Sequence, residues 1–128
     1  MILLDTCAIL WLASAQENLS EQAKQVIHNN ANALFVSAIS AFEIGAKVNR
    51  GLIKLPLKIH DWFNQALLLH GLVEIPVDST IAIQSTQLPL IHKDPADRLI
   101  IATALLNHFT ILTPDQHIKN YPQIKTLW

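Results

Sequence analysis

Cysteine is almost absent from this chain. Cys7 is the only one in 128 residues, so no disulfide can form within it, and a lone thiol suits a reducing compartment. Glycine is scarce too, with Gly45, Gly51 and Gly71 the full set. None sits in a phosphate-cradling loop after a strand, which argues against a nucleotide-binding module. Charged residues make up only 15%, and the net charge is −1. That balance excludes a charge-rich disordered chain and leaves no overall positive field to draw in nucleic acid, so such a role needs local basic groups or a metal. No apolar run approaches the roughly 20 residues that span a membrane. Ala13-Ser14-Ala15 resembles a signal-peptide cleavage site, but no Lys or Arg precedes the apolar stretch and Asp5 interrupts it. The expectation is a soluble, cytoplasmic protein. The six histidines lack metal-ligand spacing and only one Cys is present, which argues against a structural zinc site.

What the chain has in quantity is apolar residues, 51% of the total, enough for one domain with a single core. Short apolar runs alternate with helical patterns. MILLD, ALFVS (33–37), LVEIP and FTILT (109–113) read as strands, and IKTLW (124–128) as a fifth. Helices are expected over Thr6 to Ala15, Ser20 to Asn30, Ser40 to Asn49, Ile59 to His70, Asp78 to Gln87 and Pro95 to Asn107. Strands separated by helices imply right-handed crossovers. The fold class is therefore α/β: one domain over 1–128, with a central, mostly parallel sheet of four to five strands and helices on both faces. Trp11, Trp62, Phe63 and Leu67 are expected in the core, the two tryptophans alternatively at an interface. Cys7 is expected as a small buried residue without a paired base.

A carboxylate in apolar company is costly unless something pairs with it, and the acids fall at telling places. Asp5 ends the first strand, and Asp115 lies just past the fourth in ILTPD. Parallel sheets bind ligands at the carboxyl ends of their strands. Glu43 lies in FVSAISAFEIGAKV among apolar neighbours, and Asp94 and Asp97 bracket a helix start in HKDPADRLIIATA. There Pro95 suits the first helical position and Asp94 the N-cap. Four or five carboxylates thus converge on one edge. They repel one another, and a divalent cation with all-oxygen ligation is the simplest compensation. Lys47 and Arg50 follow Glu43 on nearly the same helical face. They and Arg98 are candidates for contacting a phosphate backbone, or else ordinary surface charges, and Arg98 alternatively neutralises the acidic cluster or forms a surface ion pair.

The strand-terminal Asp5-Thr6, the V-S-x-x-S-x-x-E of residues 36–43, D-P-x-D-R-L-I-I-A-x-A from Asp94 and I-L-T-x-D from Ile111 together resemble PIN-domain proteins. Within that family the chain resembles the short VapC-like toxins of toxin–antitoxin pairs. Each motif is short; their order over nearly the whole chain carries the likeness. The resemblance implies an endoribonuclease using Mg²⁺, with Mn²⁺ able to substitute, that is inhibited by a VapB-like antitoxin and forms a homodimer. It implies an acidic site of Asp5, Glu43, Asp97 and Asp115, with Asp94 a possible further ligand and Thr6, Ser37 and Thr113 as polar support. Ala96 stands where the family commonly has Phe, and Pro114 where a basic residue is common, so a phosphate contact is missing there. Two other readings compete. A catalytically silent PIN-like binding module would be expected to have lost one of the acids. A phosphoacceptor domain would want a strand-terminal Lys where this chain has Pro114-Asp115.

Overall fold

The computed structural model describes residues 1–128. Five strands form one sheet in the order β3-β2-β1-β4-β5: β1 (Ile2–Leu4), β2 (Leu34–Ser37), β3 (Leu72–Ile75), β4 (Thr110–Leu112) and β5 (Thr126–Leu127). Every pairing is parallel. The strand at the centre, β1, is fully buried, as a run apolar on both faces requires. Its helical partners are α1 (Thr6–Ser14), α2 (Glu21–Asn29), α3 (Ala38–Asn49), α4 (Ile59–His70), α5 (Ser79–Thr86), α6 (Pro95–Asn107) and the short α7 (Gln116–Lys119).

Alternation along β1 divides the core in two. Ile2 and Leu4 join Leu34, Val36 and Leu112 in a cluster with Ala8, Ile9 and Leu12 of α1, Ile44 of α3 and Trp62 and Phe63 of α4. Leu3 points the other way, with Ile111, against Ile100, Ile101 and Ala104 of α6, and with Ile118 and Tyr121. Trp11 packs partly buried on the first cluster and meets Trp128 at 5.7 Å.

The expected strands are all present, though shorter. Phe109 and Thr113 flank β4 rather than belonging to it, and β5 is two residues long. Helix α3 begins at Ala38, two residues before the expected start, because Ser37 supplies its cap: Ile39 N–H donates to Ser37 Oγ at 3.1 Å. Helix α7 was not expected; it is only four residues long, below the length at which periodicity is readable.

Candidate active site

Three of the acids owe their positions to helix capping. Asp5, directly after β1, caps α1 by accepting from Ala8 N–H at 2.8 Å. Asp94 caps α6, its Oδ1 accepting from Ala96 N–H at 2.8 Å and Asp97 N–H at 3.1 Å. Asp115 caps α7 through His117 N–H at 2.8 Å. Each cap satisfies amides that a helix start leaves unpaired. Glu43 comes from the second turn of α3 and Asp97 from the first turn of α6. All five acids line one cleft of about 390 Å³, in which Lys47 is the only Lys or Arg.

Hydroxyls hold two of these acids. Thr113 donates to Asp5 Oδ2 and receives Asp115 N–H at 3.0 Å, tying the ends of β1 and β4 together. Thr6 donates to Glu43 Oε1 and meets Ser40 Oγ at 2.9 Å. Ser40 is therefore the serine of the 36–43 motif that reaches this network. Ser37, expected as polar support, is fully buried and is occupied as the α3 cap. The motif itself contained both serines, and only the helix register separates their roles.

Burial above all, with mutual repulsion, pushes Asp5, Glu43 and Asp97 toward their neutral forms. Asp5, 3% exposed, is raised from 3.8 to about 7, by burial above all; the Thr113 and Ala8 bonds oppose this, while Asp97 and Asp115 add to it. Glu43 is raised by burial, with Thr6 opposing and Asp97 and Asp94 contributing. Asp97 is raised by burial too, with His92 opposing and Asp94 and Asp115 contributing. Cys7 is half-buried rather than buried as expected, and burial, with Asp5 adding, pushes its thiol up to about 12, which disfavours the thiolate.

The donor set fits a hard divalent cation. Glu43, Asp94 and Asp97 offer ligand oxygens that all lie within 4.8 Å of one another. His92, Asp97 and Asp115 form a second such group, so Asp97 belongs to both. Carboxylate oxygens at these separations suit Mg²⁺ or Mn²⁺. Capping and ligation do not compete at Asp94, since the cap engages only Oδ1.

Among the basic residues, Lys47 and Arg50 line an adjoining groove of about 330 Å³ with Phe42, Ala46 and Leu99, and this groove shares Glu43 and Asp94 with the acidic cleft. Arg98 is different, and the expectation of a phosphate contact is corrected. It is 9% exposed, and its guanidinium donates to the carbonyls of Ser85, Leu88, Pro89 and His92 and to the Tyr121 hydroxyl. Both terminal nitrogens are spent on these five acceptors in the interior, and the side chain does not line the acidic cleft. His92, His117 and Tyr121 carry no signal in the sequence, because no spacing pattern joins residues that meet only through the fold.

The sequence model of the PIN domain matches residues 2–124. The chain belongs to the PIN-domain family. Ribonuclease VapC22 of Mycobacterium tuberculosis is 31% identical over 130 residues, covering 99% of this chain and 98% of that protein. The likeness places this PIN domain in the VapC group. Solved structures share its fold. VapBC2 of Rickettsia felis, bound to a DNA fragment from its promoter, has a TM-score of 0.72 at 15% identity, covering 99% of this chain and 98% of that one. A toxin–antitoxin complex from Klebsiella pneumoniae has a TM-score of 0.68 at 19% identity, covering 100% and 97%. No helix of this PIN domain is long and apolar enough to cross a membrane.

Proposed function

We propose that this PIN domain is a metal-dependent endoribonuclease, the toxin of a VapBC-type pair, which hydrolyses RNA phosphodiesters with Mg²⁺ or Mn²⁺. The observation that carries the reading is the cleft itself: five acids share it with a single lysine. The 31% identical relative is named a ribonuclease, and a structural neighbour is a toxin–antitoxin complex, which supports a VapB-like antitoxin as partner.

Asp5, Glu43, Asp97 and Asp115, with Asp94, are the residues that would hold the cation. When bound, the ion offsets charge on the scissile phosphate and makes an attacking water more acidic. The chain's own groups prepare the site. Thr113 and the Ala8 amide hold both oxygens of Asp5, so its carboxylate enters the reaction already oriented. Thr6 fixes Glu43 in the same way, with Ser40 fixing Thr6. Lys47 and Arg50, beside the cleft, supply positive charge along the path of an RNA backbone.

The test is cleavage of a mixed cellular RNA pool by the antitoxin-free protein with Mg²⁺, with Mn²⁺, with EDTA, and by Asp5→Asn. Discrete cuts that need metal and disappear in the variant are expected. A folded protein that cuts nothing under either metal would point instead to a binding-only PIN relative. Purification beside the product of a neighbouring small gene checks the antitoxin: a stable complex that suppresses cleavage is expected.

A further inference from the structure

Asp97 belongs to both groups of candidate ligands; in the second, His92 Nε2 is already spent on Asp97, so it is the all-carboxylate group of Glu43, Asp94 and Asp97 that the orientation of Asp97 governs. Its carboxylate has one side-chain partner, His92, whose Nε2 lies 2.7 Å from Asp97 Oδ2. A carboxylate that holds a cation is ionised and can only accept, so in that state the His92 ring N–H is the donor. That engages Oδ2 and leaves Oδ1 without a protein partner.

His92 is itself held at three points. Its backbone N–H donates to the Tyr121 hydroxyl at 3.0 Å, and its carbonyl accepts from Arg98 Nη1 at 3.1 Å. Its ring stacks on His117 at 4.8 Å, with the planes 14° apart. The same Arg98 binds the carbonyls of Ser85, Leu88 and Pro89, fixing the segment that leads into His92. The side chains of His92 and Asp97 are 15% and 16% exposed, so the bond between them is largely shielded from water. A histidine anchored by backbone and ring, with its tip on a carboxylate, has the form of an outer-shell partner that aims a ligand.

We propose that His92 is a positioning residue for the cation site: its Nε2–H bond to Asp97 Oδ2 sets that carboxylate's orientation, and the buried Arg98–Tyr121 clamp holds His92 in place to do so. This rests on the reading of the cleft as a metal centre. It gives the buried Arg98 a role in the site at one remove.

Two substitutions separate positioning from packing. His92→Phe keeps an aromatic ring against His117 and loses the donor. His92→Gln loses the ring and keeps an N–H at similar reach. Mn²⁺ binding to the full, RNA-free chain would be followed by electron paramagnetic resonance for the wild type, both variants and Asp97→Asn. Binding about 10-fold weaker in the Phe variant is expected, at the lower end of what losing an outer-shell partner costs, with the Gln variant near wild type. Phe binding as tightly as wild type, or Gln as weakly as Phe, would overturn the proposal. So would nitrogen coupling from an imidazole bound directly to the ion. A wild type that takes up no Mn²⁺ would remove the metal-centre reading and this proposal together, whereas a wild type that binds through Asp97 with no effect of His92 removes only the latter.

Discussion

In the first turn of α6, two consecutive side chains go to opposite environments. Arg98 turns inward, where four carbonyls and the Tyr121 hydroxyl surround its guanidinium and no carboxylate is among them. Asp97 turns into a cleft with four other acids and, of the lysines and arginines, only Lys47. The buried cation is satisfied by neutral acceptors, and the clustered anions are kept away from it. An ion pair between Arg98 and the cluster would have settled both charges inside the protein. Their separation leaves the cleft with an excess of negative charge that an outside cation can answer. One region is electrostatically complete and the other is open by construction.

The sharpest way to break that contrast is to remove an acid. Asp5→Asn is expected to lower RNA cleavage by more than the roughly 10- to 100-fold that loss of an outer-shell partner costs, while circular dichroism stays unchanged, since Asn can still cap α1. Next comes the complete region. Arg98→Met leaves five acceptors without their donor and should lower stability by about 3 kcal/mol or more in urea unfolding. Arg98→Lys should recover little, because one ammonium cannot reproduce the planar fork.

A smaller effect tests the open region without its metal. Between an ordinary value of 3.8 and about 7, folded Asp5 keeps a proton that the unfolded chain has released. Its contribution is therefore fully present below pH 4 and is lost as pH rises through 7. Glu43 and Asp97 are raised as well and act in the same direction. Chelator-treated protein should be less stable at pH 8 than at pH 5.5 by about 2 kcal/mol, and Asp5→Asn should flatten most of that slope. Smallest is the change at the residue serving both helix and cleft. Asp94→Ala should cost about 1 kcal/mol by removing the α6 cap, and Asp94→Asn only a few tenths. If both variants weaken Mn²⁺ binding alike, ligation by Asp94 is separated from its capping.

The sheet was legible because its strands announce themselves: apolar runs between helical patterns leave few alternatives to a parallel α/β sheet. The acids that follow β1 and β4, Asp5 and Asp115, were legible for the same reason, since strand ends are where such sheets gather their polar groups. Ser40 was confused with Ser37 because a shift of two residues in where α3 starts decides which hydroxyl faces Thr6. Arg98 was misread because an arginine beside an acid suggests an ion pair or a phosphate contact. Its acceptors are backbone carbonyls, groups that every residue carries and that composition cannot reveal. His92 carried no usable pattern either: Tyr121, which anchors it, stands 29 residues away.

The bond between Thr113 and Asp5 joins residues 108 positions apart, and this has a consequence in time. A ribosome makes the amino-terminal end first, so Asp5 exists long before the strand and hydroxyl that complete its surroundings. Until β4 has docked beside β1, the cleft lacks one wall and Asp5 lacks its second partner. A site of this design closes only once β4 has been made and has docked, and shorter nascent chains carry its first acid without the site.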